Sequence, residues 1–91
     1  MATALQHKKI EKTVKGFANH RRLQILELLN ETGGLSVDDI SQNLNVNFMT
    51  ISDHARKLSD VGLIEKKYKG RFVINTITKL GKHILSFCKM L

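Results

Sequence analysis

The chain has no proline, no tryptophan, one tyrosine and one cysteine among its 91 residues. A lone thiol, Cys88, has no partner for an internal disulfide, so no covalent staple is expected and a reducing, cytoplasmic setting is favoured. No apolar run approaches the roughly 20 residues that a membrane span requires, which argues against a membrane partner. No targeting segment is visible. Repeats, linkers and low-complexity tracts are also missing, so residues 1–91 are expected to form one domain with one small core. Without proline, helix ends have to be read from capping residues and glycines.

What is abundant is positive charge, with a formal net charge of +7. It is segregated along the chain. From Met1 to Arg22, six cations face Glu11 alone, and from Leu63 to Leu91 seven face Glu65 alone. Between them, Leu23 to Gly62 holds Arg56 and Lys57 against six carboxylates. Such a footprint suits a protein that meets a polyanion through its two ends, while the acidic middle supplies shape.

That middle carries the most informative pattern. Ser36 followed by Asp39 reads as a capping box, and Val37, Ile40 and Leu44 then fall on one helical stripe. Asn45 suits a left-handed helix end, Val46 an apolar plug between crossing helices, and Asn47 the cap of the next helix. That helix places Ile51, Ala55 and Leu58 inward, and Gly62 ends it. Residues 36–61 thus read as a helix-turn-helix. Asn47, Met49, Thr50, Ser52, Asp53, His54 and Lys57 are the side chains that the second helix offers to base edges and phosphates of double-stranded DNA.

Two β-rich runs follow, Leu63 to Lys67 and Phe72 to Ile77, joined by Tyr68-Lys69-Gly70-Arg71 as a hairpin loop. A helix-turn-helix followed by a hairpin is a winged helix. The wing, residues 63–77, brings Lys66, Lys67, Lys69 and Arg71 around its loop, where cations meet phosphates or an adjacent minor groove, and Leu35 is placed to add a short strand beside it. The fold class is therefore α+β, mainly α: a winged helix-turn-helix with extra N- and C-terminal helices.

Those terminal helices are expected over residues 4–16 and 79–90, the second capped by Thr78. A helix from His20 to Asn30, capped by Asn19, should bury Leu23, Leu26 and Leu29, with Ile25 and Leu28 widening its face. The terminal pair carries more apolar surface than one core needs. Leu5, Ile10, Val14 and Phe17 stripe the first, and Leu80, Ile84, Phe87, Cys88 and Leu91 the last, with Leu85 and Met90 beyond it. Leu5, Ile10, Val14, Ile84, Phe87, Cys88 and Leu91 are accordingly assigned to a two-fold homodimer interface that would present two recognition helices.

In this order and spacing the pieces resemble the ArsR-like group of winged-helix transcription regulators. Arg22-Leu23-Gln24-Ile25-Leu26 is similar to the family's opening signature, and Leu35-Ser36-Val37 with Ile40 and Leu44 to its first helix-turn-helix element. Thr50-Ile51-Ser52 with His54 and Leu58 resembles its recognition helix, and Gly62-Leu63-Ile64 leading to Gly70-Arg71 its wing. The resemblance implies a dimeric repressor with Thr50, Ser52 and His54 at or near DNA and Arg71 at a groove or phosphate. For Arg22 it leaves a phosphate contact and an ion-pair or packing role both open. Asp53 departs from the family's basic or polar residue there. An aspartate accepts from cytosine N4 but repels phosphate.

Metal-sensing relatives carry cysteines near the first helix-turn-helix element, or His and carboxylate ligands on the last helix. Leu35 and Val37 stand in the first region, and His83 lacks a matching acidic or second His partner, so no metal site and no cofactor are expected. His7 and His20 read as solvent-facing. Catalysis is not expected either. Asp38-Asp39 complements a helix dipole, Ser52 and His54 point apart on one helix, and no Gly-rich phosphate loop is present. The alternatives to a sequence-specific regulator are a winged-helix module that binds an unidentified protein through Phe48, Met49 and the terminal helices, and a non-specific architectural DNA-binding protein.

Overall fold

Side-chain caps start every helix among the described residues. A computed structural model gives the architecture of residues 3–91. Helix α1 (Ala4–Phe17) begins with a capping box of Thr3 and Gln6, and α2 (His20–Thr32) with Asn19, whose Oδ1 accepts from the Arg21 and Arg22 amides. Ser36 and Asp39 form the capping box of α3 (Val37–Leu44), Asn47 caps α4 (Phe48–Asp60), and Thr78 caps α5 (Lys79–Lys89). Each cap satisfies amides that a helix N-terminus otherwise leaves without partners. Strands β1 (Ile64–Lys69) and β2 (Phe72–Ile77) pair antiparallel between α4 and α5.

The turn between α3 and α4 is built as its residues dictate. Asn45 takes the left-handed conformation at φ 53°, and the Ser41 hydroxyl donates to the Val46 carbonyl, closing the corner. At the other end of α4, Gly62 at φ 77° reverses the chain while the Leu63 amide donates to the Leu58 carbonyl at 3.0 Å. Thr78 then ties the wing's exit to that corner, its hydroxyl donating to the Gly62 carbonyl at 2.7 Å. The two ends of α4 are thereby fixed.

The core consists of Ile25, Leu26 and Leu29 of α2, Ile40 of α3, Ile51, Ala55 and Leu58 of α4, Leu63, Ile64, and Leu85 of α5. Two details differ from the sequence reading of the helices. Ile25 is fully buried where Leu23 is only half-buried, because α2 is clasped by α4, α5 and the wing and turns a broad face inward. In α5 the core-facing residues are Gly81 and Leu85, while Leu80 and Phe87 are exposed. A Cβ at Gly81 would collide with the Leu63 carbonyl oxygen. That close approach fixes how α5 packs, with Leu80 and Phe87 on its outer side while Ile84 still packs against the core.

The wing is tighter than expected. Pairing continues through Tyr68 opposite Val73 and Lys69 opposite Phe72, leaving only Gly70 and Arg71 as the loop. Gly70 at φ 61° is followed by a residue of negative φ, the pattern of a type II′ hairpin turn, which matches the strands' twist. Leu35 does join the wing, bridging Asn75 with backbone bonds of 2.8 and 3.0 Å. Asn75 is fully buried and its amide nitrogen donates to the Leu35 carbonyl, a polar pin that pattern reading did not single out.

Candidate nucleic-acid interface

Because Ile51, Ala55 and Leu58 point inward, the opposite side of α4 faces solvent. Asn47, Met49 and Thr50 are exposed at its start, Met49 to 73%. Asn47 is engaged as the cap, its Oδ1 accepting from the Met49 and Thr50 amides at 2.8 and 3.3 Å. Ser52, Asp53, His54 and Lys57 are half-buried. Thr50, Asp53 and Lys57 share one flank at three- and four-residue spacing.

Asp53 does not stand as a bare negative charge. Arg56 and Lys57 both pair with its carboxylate, Lys57 at 3.2 Å, and Arg56 also reaches Asp60 at 3.8 Å. Hydrogen bonds from Arg56 and then Lys57 hold the Asp53 carboxyl below its usual pKa. The repulsion of phosphate that an isolated aspartate would cause is offset by two cations on the same surface. Arg56 was not among the residues picked out from sequence, although its three-residue spacing from Asp53 is the signal that would have found it.

His54 sits to one side of this row. Its Nδ1 accepts a hydrogen bond from Arg22 Nε at 3.1 Å, across from α4 to the first turn of α2. Burial first, and the Arg22 charge second, push its pKa below the usual value. Arg22 in turn donates through Nη1 to the carbonyls of Lys15 and Gly16 at 3.1 Å each. Of the two roles left open for Arg22, the packing role is therefore occupied. The same arginine lines a cleft of about 310 Å³ with Lys12, Lys15 and Lys57, where α1 approaches the end of α4.

On the wing, Lys66, Lys67, Lys69 and Arg71 are all exposed, as are Tyr68 and Phe72. Lys67 lies 3.8 Å from Glu65, and among the described residues the ion pairs leave Lys66, Lys69 and Arg71 without a carboxylate. The basic wing and the α1–α4 cleft, whose four cations face Asp60, both adjoin the recognition helix.

The residues assigned to self-association fall on a different surface. Ile10, Val14, Ile84 and Phe87 line an apolar groove of about 340 Å³ between α1 and α5, together with Phe17 and Leu80. Leu5 and Leu91 lie outside the groove and are 81% and 92% exposed. Cys88 is half-buried and is not part of its lining. Among the described residues, no group of three or more His, Cys, Asp or Glu side chains is placed to hold a metal, and no helix is long and apolar enough to cross a membrane.

Comparison with known proteins follows the same geometry. The model of bacterial regulatory proteins of the arsR family matches residues 19–66, which run from the cap of α2 into β1. The transcriptional regulator GlpR of Haloferax volcanii is 33% identical over 57 residues, which are 63% of this chain and 22% of that protein. The chain therefore spans under a quarter of that curated relative. Among solved structures, a homodimeric winged helix-turn-helix DNA-binding domain from Mycobacterium bovis superposes with a TM-score of 0.87 at 27% identity, covering 99% of this chain and 88% of that one. HlyU from Vibrio cholerae gives 0.80 at 28% identity, with 94% of each chain covered.

Proposed function

This chain belongs to the arsR family of bacterial regulatory proteins, and from that premise we propose that it is a sequence-specific, homodimeric repressor. It has the winged helix-turn-helix fold of DNA-binding regulators, and family membership sets it apart from enzymes. In the proposed complex, α4 enters the major groove. Thr50 and His54 contact base edges, Met49 meets a thymine methyl group, and Asn47 and Ser52 lie at phosphates. Asp53 holds Arg56 and Lys57 in position, while Lys67, Lys69 and Arg71 of the wing anchor the backbone. Repression follows from occlusion of a promoter.

The observation that carries this reading is the outer face of α4. Its ends are fixed by caps and its inner side by the core, and it offers Met49, Thr50, Asp53, Arg56 and Lys57 to solvent beside a basic hairpin. The apolar α1–α5 groove supports a two-fold dimer, and the M. bovis domain, described as homodimeric, supports self-association. A dimer of this kind reads two half-sites about one helical turn apart, roughly 34–36 Å. No effector is proposed.

The test is selection from random duplex DNA by the purified protein at physiological salt. An enriched inverted repeat is the expected result. Binding without enrichment that vanishes on adding salt would instead favour non-specific association. The exposed Phe48 and Met49 at the start of α4 favour a second reading, a protein-binding module. In that case replacing Phe48 would abolish capture of a protein partner and leave DNA association unchanged.

A further inference from the structure

We propose that Arg22 is a positioning residue for DNA recognition, locking His54 of the recognition helix into one tautomer from an anchor on the last turn of α1. The inference rests on the reading above that α4 enters the major groove. Its basis is one guanidinium bonded on two sides: Nε to His54 Nδ1 at 3.1 Å, and Nη1 to the Lys15 and Gly16 carbonyls at 3.1 Å each. Those carbonyls end α1 and would otherwise lack helical partners. A guanidinium is planar, permanently charged and has no acceptor. The direction of the His54 bond is therefore fixed, with Arg22 donating and Nδ1 accepting with its lone pair.

It follows that the imidazole is neutral and carries its proton on Nε2. Nε2 is not among the fully buried, unpartnered side-chain atoms of the described residues, so its N–H keeps some access to solvent on this half-buried side chain. His54 thus presents a single donor of fixed direction. An N–H there donates to guanine O6 or N7, thymine O4 or adenine N7, and finds no acceptor on the cytosine edge. Arg22 would set specificity without itself touching a base.

The same geometry makes recognition sensitive to acid. A second proton on His54 would fill the lone pair that Arg22 uses and place two cations 3.1 Å apart. The charged and titratable groups around His54 are Arg22 and His20 from α2 and Asp53 and Lys57 from α4, and the end of α1 contributes carbonyls through Arg22. Only Asp53 among them favours the protonated ring, and it is already paired with Arg56 and Lys57. The lowered pKa of His54 agrees with this balance.

Long-range proton–nitrogen NMR of the histidine-labelled free protein at neutral pH reads the tautomer without DNA and without a variant. A fixed Nε2–H tautomer is expected for His54; a tautomer mixture or an Nδ1–H form would overturn the inference while leaving the proposed function standing. The second arm is a cycle of Arg22→Ala and His54→Ala on the duplex recovered by selection. Arg22→Ala should weaken binding about tenfold alone and less than about twofold in the His54→Ala background, because the two act as one unit. Equal losses in both backgrounds, with a salt slope lowered by about 1, would assign Arg22 to a phosphate and overturn the coupling. As pH falls through the lowered pKa of His54, the wild-type affinity should drop although the protein gains positive charge, and His54→Ala should remove that drop. Failure of selection to recover any preferred sequence would overturn the proposed function itself, whatever the tautomer.

Discussion

Helices α1 and α4 are nearly equal in length, 14 and 13 residues, and both are amphipathic, yet they stand in opposite situations. α4 buries Ile51, Ala55 and Leu58 almost completely, whereas α1 has no buried residue and leaves Leu5 81% exposed. α1 touches the rest of the chain mainly at its C-terminal end, where Gly16 lies so close to Val61 that a Cβ would sit 2.7 Å from its methyl group. An apolar stripe specifies that a helix needs cover, not which molecule supplies it. In α4 the cover comes from the chain's own core. In α1 and on Leu80 and Phe87 of α5 the chain supplies little cover, and in the proposed dimer a second copy would provide it.

The difference can be broken most forcefully on the side of α4. Leu58→Ala should cost about 2–5 kcal/mol, since a fully buried leucine is removed from a packed site, and a shifted denaturant midpoint would show it. Phe87→Asp should leave the protomer's fold intact while costing the dimer about 2 kcal/mol or more in association, as loss of an apolar anchor does. Sedimentation across a concentration series reads that loss. If Phe87→Asp instead unfolds the protein as Leu58→Ala does, the two surfaces are not distinct.

Smaller effects sharpen the contrast between reading and anchoring. Thr50→Ala should cost about 1–3 kcal/mol on the preferred duplex and relax its sequence preference. Arg71→Ala should weaken all sequences alike and lower the salt slope by about 1, because a phosphate contact carries no sequence information. Titration of both across salt concentrations separates them. The smallest effect is on stability against pH. The folded pKa of His54 lies below its ordinary 6.5, so its contribution is present above that value and is lost as pH falls through the lowered one. Denaturant midpoints should therefore decline on acidification from pH 7.5, and less steeply in His54→Ala.

Much of the fold was legible because its punctuation is local. Asn19, Ser36, Asn45, Asn47, Gly62 and Thr78 each act on residues within four positions, and all hold the roles that spacing assigned them. What was not legible depends on contacts between distant elements. Nothing local shows that Gly81 rotates α5 against the Leu63 carbonyl, that Asn75 pins Leu35, or that Arg22 reaches His54 across 32 residues. The hairpin loop was read two residues too long because Tyr68 and Lys69 pair through cross-strand bonds that composition does not announce. At the candidate interface, periodicity marks the outward side of α4 and the three-residue spacing of Asp53 and Arg56 carries their pairing, whereas the Arg22–His54 contact is not local.

The division of labour between the two surfaces is tested most directly by the solution mass of the protein, alone and bound to a single copy of its selected duplex, for the wild type and Phe87→Asp. The account predicts a wild-type mass twice that of one chain, two chains per duplex, and a Phe87→Asp protein that is monomeric, folded and weakly bound. A wild-type monomer that binds its duplex one to one with undiminished specificity would contradict it.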